Sequence, residues 1–152
     1  MTHHGAGSSG LSFACFASEL KKIIPKAGIL SIDARGHGKT SISPSESGSD
    51  GEDQDTDLSL DTLSSDLAFV IQGVQIKMSW PELPDMILVG HSLGGAVVVH
   101  LTHRNLLETP VLGFAVLDVV EGSAMEALAH METYLSNRPS SFLSVASAIE
   151  WQ

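Results

Sequence analysis

The spacing of apolar residues changes period several times along the chain. Phe13, Phe16, Ala17, Leu20, Ile23 and Ile24 recur three and four residues apart, which predicts a helix over Leu11–Ile24. Pro25 ends it. Gly28–Asp33 is a short apolar run and predicts a strand. Leu63, Leu67, Val70 and Val74 mark a second helix. Met86–Val89 predicts a strand and Leu93–Leu107 the helix that follows it. Val111–Leu117 is almost wholly apolar, the pattern of a buried parallel strand. Ser123-Ala124-Met125-Glu126 has the form of a capping box. It opens a helix with Ala124, Leu128, Met131 and Leu135 on one face, broken by Pro139. A short helix is expected over Phe142–Trp151. Helices and strands that alternate in this way specify an α/β fold, a mainly parallel sheet with helices on both faces.

One stretch lacks this patterning. Residues 40–57 hold Ser, Gly, Pro and acids, among them Glu46, Asp50, Glu52, Asp53, Asp55 and Asp57, and read as an acidic low-complexity loop. The 152 residues suffice for one core, so residues 1–152 are expected to form a single, incomplete domain. A formal net charge of −10 argues against nucleic-acid partners and against an anionic membrane surface. No apolar run is long enough to span a membrane, and Met1-Thr2-His3-His4-Gly5 lacks the basic and apolar regions of a signal peptide. The single Cys15 excludes an internal disulfide and is expected in the core. A cytoplasmic or nuclear protein is the expectation. No Cys/His cluster has metal-ligand spacing, and no cofactor is expected.

Chemistry concentrates at Gly90-His91-Ser92-Leu93-Gly94-Gly95. Gly-x-Ser-x-Gly between a strand and a helix has the form of the nucleophile elbow of α/β-hydrolases. The tight turn lifts the serine hydroxyl above the sheet, and a side chain at position 90 or 94 would clash. Ser92 is the candidate nucleophile. The simpler alternative is a glycine-rich turn that matches by chance. The Leu93 amide, at the positive end of its helix, faces the site of a developing oxyanion. A second donor is expected on a loop after an earlier strand. His4-Gly5-Ala6-Gly7 stands in the right place in the order, with Ala6 as the candidate amide. Asp118 ends the strand Val111–Leu117 as Ser92 ends its own, so it is the candidate acid that orients the base. Its alternative role is to cap the next segment. Asp33 also ends a strand, but it begins a structural turn, Asp33-Ala34-Arg35-Gly36-His37-Gly38.

The base has no clear candidate. It should be a histidine on a loop after the acid. His130 alone follows Asp118, and it lies within a predicted helix. His91 is expected to point under the elbow, His100 and His103 to serve surface or packing roles, and His37 to belong to the Arg-Gly-His-Gly turn.

Asp118-Val119-Val120-Glu121-Gly122-Ser123-Ala124-Met125, Arg138-Pro139 and Ala148-Ile149-Glu150-Trp151 resemble the protein phosphatase methylesterase family, with similarity to its fungal members. The elbow, the Arg-Gly-His-Gly turn and the His-Gly-Ala-Gly loop match in the same order, although many α/β-hydrolases share them. The resemblance implies a partial α/β-hydrolase fold. It also implies a serine carboxylesterase that removes the methyl ester from the carboxy-terminal leucine of the type 2A protein phosphatase catalytic subunit. Ser92 then matches the nucleophile, Asp118 the triad acid, and Ala6 and Leu93 the oxyanion donors. The family has strands before its His-Gly loop and continues past Trp151 to a lid and its catalytic histidine. The expectation is therefore a truncated form, nearly inactive for want of that histidine and marginal in stability. Two other readings stand beside it: a non-catalytic module that binds the phosphatase, and another α/β-hydrolase such as a lipase or general esterase.

Overall fold

The computed structural model describes residues 1–42, 57–107, 111–119, 130, 133, 136–137 and 139–151. They fall into two compact units, Met1–Val119 and Val120–Gln152.

The first unit is built on four parallel strands: β1 (Thr2–His3), β2 (Ser31–Ile32), β3 (Met86–His91) and β4 (Val111–Leu117). Their spatial order is β2-β1-β3-β4. Three helices accompany them: α1 (Ala14–Ile23), preceded by a 3-10 turn at Gly10–Phe13, then α2 (Leu60–Lys77) and α3 (Leu93–His103). The chain moves from β1 outward to β2, then crosses back over β1 to β3. With right-handed crossovers, that reversal puts α1 on the face opposite α2 and α3. It also makes the gap between the carboxyl ends of β1 and β3 a topological switch point, where open α/β sheets bind ligands.

Local sequence explains the helix ends. The Ser59 hydroxyl caps α2 by accepting the Thr62 N–H, while Asp57 accepts the Ser59 N–H at 2.9 Å and the Thr62 hydroxyl. Those bonds hold the Asp57 carboxyl below its usual pKa range, the Thr62 hydroxyl contributing most. Ile24 closes α1 just before Pro25. The core lies on one face. Leu63, Leu67, Ala68 and Ile71 of α2 meet Val97, Val98 and Leu101 of α3 over Leu88 of β3, with Leu83 and Leu107 completing the cluster.

Three expectations need correction. Val111–Leu117 is a parallel strand, but it is not buried: among the described residues β4 is the edge of the sheet, and Leu112, Phe114, Val116 and Leu117 are exposed. Cys15 is exposed, and α1 buries none of its residues, although Phe13 just before it is buried. The predicted strand over Gly28–Asp33 shrinks to Ser31–Ile32. The central strand β1 is only two residues long and carries no periodicity for the sequence pattern to show. The loop at 43–56 and the capping box at 123–126 lie outside the described residues.

The second unit contains α4 (Val145–Trp151). Ser144 opens it, its hydroxyl accepting the Ser147 N–H while the Ser147 hydroxyl accepts the Ser144 N–H, both at 3.1 Å. The Phe142 and Trp151 rings lie 5.9 Å apart.

Candidate active site

Ser92 sits between β3 and α3 with φ 50° and ψ −120°. This is backbone that L-residues rarely adopt. Packing enforces it from both sides. A Cβ on Gly90 would lie 2.2 Å from the Gly94 carbonyl oxygen, and one on Gly94 would lie 2.3 Å from the His3 carbonyl oxygen. Helix α3 can therefore start this close to β1 and β3 only with glycine at both positions. The Ser92 N–H still donates to the Leu117 carbonyl at 2.9 Å, and its own carbonyl accepts from Gly95 and Ala96. The peptide frame is fully committed, while the side chain makes no capping bond.

Asp118 lies one step beyond β4 as Ser92 lies one step beyond β3. His91 and Leu117 are in register, so the next residues of both strands emerge side by side. Asp118 also turns out through positive φ, 54°, and its carboxylate is well exposed. The nearest imidazole is His91, whose Nε2 lies 3.8 Å from Asp118 Oδ2. His91 thus reaches the Asp118 side instead of tucking under the elbow. The distance is too long for a hydrogen bond.

The His4–Gly7 loop leaves β1 against the elbow. A Cβ on Gly5 would stand 3.1 Å from Ser92 Cβ and 2.9 Å from His91 Nδ1. Ala6, the next residue, is exposed. Leu93 is the first residue of α3, so no helical carbonyl precedes it to accept its N–H. Among the described residues, neither the Ala6 amide nor the Leu93 amide has a hydrogen-bond partner. Nucleophile, carboxylate and two open amides thus share the carboxyl edge of the sheet, around the switch point.

Asp33 is excluded as a rival acid. Its carboxylate accepts the Gly10 N–H at 2.8 Å. That bond, more than any other influence, holds its pKa below the usual range. Arg35 of the same turn forks onto Asp66 of α2, with Nε–Oδ2 at 2.5 Å and a terminal nitrogen 2.7 Å from Oδ1. This turn is a structural brace.

A second Ser/His/Asp grouping forms away from the edge. His100 Nδ1 lies 3.1 Å from Ser64 Oγ, and His100 Nε2 lies 3.6 Å from Asp61 Oδ1. Ser64 is completely buried between α2 and α3, so no substrate reaches it. The group ties the two helices together. No histidine of the first unit hydrogen-bonds to Ser92. His3 and His4 are buried, and His103 and His130 are exposed on helices. Among the described residues no cluster has the makings of a metal site, and no helix is long and apolar enough to cross a membrane.

The comparisons with known proteins agree with this fold. Residues 2–151 match the model of the alpha/beta hydrolase family. The chain belongs to that family. Among curated relatives, the protein phosphatase methylesterase 1 of Emericella nidulans is 62% identical over 151 residues, covering 98% of this chain and 37% of the relative. That of Aspergillus fumigatus is 58% identical over 149 residues, covering 98% and 34%. The bovine protein of the same name is 38% identical over 148 residues, covering 97% and 35%. The chain therefore spans about a third of the length of the relatives it matches.

Proposed function

We propose that this chain carries the nucleophile, the orienting acid and the oxyanion site of a carboxylic ester hydrolase of the protein phosphatase methylesterase type. The observation that carries the proposal is the strained Ser92 at the switch point, with Asp118 emerging beside it from the neighbouring strand. The names and identities of the relatives support the substrate class, a methyl ester on a protein phosphatase. The finer assignment is the carboxy-terminal leucine of the type 2A catalytic subunit. It rests on the resemblance of the Asp118–Met125 stretch, whereas a cytoplasmic or nuclear location is proposed from the single Cys15, which suits a reducing compartment.

In this mechanism the Ser92 hydroxyl adds to the ester carbonyl. The Ala6 and Leu93 amides donate to the oxyanion as charge develops there. Collapse of the tetrahedral adduct expels methanol and leaves an acyl group on Ser92. Water then attacks that group, releasing the free carboxylate and restoring the hydroxyl. Asp118 orients the imidazole that takes and returns the proton. No histidine of the first unit stands in that position, so the chain alone should turn over very slowly.

Hydrolysis of a small activated ester tests this reading, without and with free imidazole in the buffer. The expected result is weak turnover that imidazole raises and that Ser92→Ala abolishes, with Asp118→Asn lowering the rescued rate. Brisk hydrolysis without imidazole would refute the missing base, and hydrolysis untouched by Ser92→Ala would refute the nucleophile. The lack of a partnered base favours one second reading, a module that binds the phosphatase without catalysis. Capture of the purified catalytic subunit with no Ser92-dependent hydrolysis under any condition would support it.

A further inference from the structure

Two histidines outside the elbow make a paired set of bonds that the proposed mechanism does not use. His4 Nε2 lies 2.9 Å from the Ala34 amide nitrogen, and its Nδ1 lies 2.7 Å from the Gly5 carbonyl. His37 Nε2 lies 3.1 Å from the Gly7 amide nitrogen, and its Nδ1 lies 2.8 Å from the Arg35 carbonyl. An amide N–H can only donate and a carbonyl can only accept. Both rings are therefore fixed as neutral imidazoles with the proton on Nδ1. The bonds run in opposite directions between the same two segments. His4 reaches from the loop into the Asp33–Gly38 turn, and His37 reaches from that turn back to the loop. The rings lie 4.9 Å apart. They bracket Gly5, which lies against Ser92, and the next residue, Ala6.

We propose that His4 and His37 are positioning residues: as a pair of neutral cross-links they hold the Ala6 amide over Ser92, and the loop loosens when either ring takes a proton. A protonated ring would turn an N–H toward the Ala34 or Gly7 N–H, replacing a bond with a repulsion. The catalytic meaning of this clamp rests on Ala6 being an oxyanion donor, whereas the clamp itself does not.

The charged and titratable neighbours are few. His3 of β1 packs 5.6 Å from His4, and its Nδ1 donates to the His4 carbonyl. Burial holds His3 below the ordinary histidine range, so it adds no positive charge near neutrality. Asp33 is the nearby anion that would favour charged rings, but its carboxylate is already bonded to Gly10. Asp66 is paired with Arg35. His91 approaches Gly5 from β3.

Nitrogen-15 spectra of the histidine rings in the unmodified chain test the first half of the proposal. At neutral pH both rings should show a protonated Nδ1 and an unprotonated Nε2. A charged ring, or one protonated at Nε2, would overturn it. Hydrogen exchange of individual amides tests the second half. On acidification, protection at Gly7 and Ala34 should drop about tenfold, the worth of one ordinary hydrogen bond, while Leu101 and Val89 hold theirs. Unchanged protection, or loss shared equally with Leu101, would overturn it. In His37→Gln the side-chain oxygen can accept the Gly7 N–H at any pH, so the acid-induced loss at Gly7 should vanish, whereas in His37→Ala the loss should be present even at neutral pH. If neither variant folds, the two measurements on the unmodified chain still decide. None of these readouts needs turnover, so failure of the esterase reading would leave them standing and failure of the clamp would leave the esterase reading standing.

Discussion

Two regions of the first unit have similar apolar content and very different burial. In the α2–α3–β3 layer, Leu88, Val97 and Leu101 are 0% exposed. In α1 and along β4, Ile23 is 78% and Leu112 64% exposed, and Phe114 and Leu117 are also open. Both regions come from amphipathic or apolar patterns that predict their elements correctly. A pattern states which face is apolar, but only a facing layer turns that face into stability, at about 25 cal/mol for each Å² removed from water. The elbow grows out of the buried region. Its strain at Ser92 is held by α3, β1 and β3, all tied to that core.

The largest effect that separates the regions is a cavity. Leu101→Ala removes a side chain packed between α2, α3 and β3 and should cost about 2–5 kcal/mol. Urea unfolding of the two proteins measures it. A cost under about 1 kcal/mol, the range of volume-conserving surface-like changes, would mean that this layer is loose and is not the core that supports the elbow.

The same contrast explains what could be read from the sequence. The elbow was legible because two glycines, a serine and the flanking apolar runs express one steric requirement within ten residues. The position of Asp118 at the end of a strand was legible from the apolar run before it, and the pairing of β4 with β3 sets it beside Ser92. The strand β1 was not, since Thr2 and His3 form a strand only through pairing with Ser31–Ile32 and Val89–Gly90. The exposure of β4 and Cys15 was not legible either, because local spacing carries no information about neighbouring layers. The roles of His4 and His37 stayed hidden for a related reason: their partners lie 30 residues away in sequence. The signal available was a histidine beside glycine in each of two loops, which is too common to single out.

A smaller effect tests whether the core imposes strain on the nucleophile. Glycine accepts the Ser92 backbone at low cost, and the hydroxyl makes no capping bond to lose. Ser92→Gly should therefore raise stability by about 1 kcal/mol, part of the 1–3 kcal/mol stored in such backbone less the added freedom of the unfolded chain. Ser92→Ala, which keeps a Cβ, should not. Matched thermal melts distinguish them. An equal rise in both, or in neither, would show that the elbow is not strained in solution.

The smallest effect falls on the open side. Leu112→Ser alters an exposed position on the edge strand and should change unfolding free energy by no more than about 0.5 kcal/mol. It should, however, reduce self-association, because among the described residues β4 offers both an unpaired strand edge and an apolar face. Light scattering during concentration reads the second effect and urea unfolding the first. A loss as large as that of Leu101→Ala would mean that something covers Leu112 in solution. The two regions would then differ in what packs against them, and not in whether they are packed.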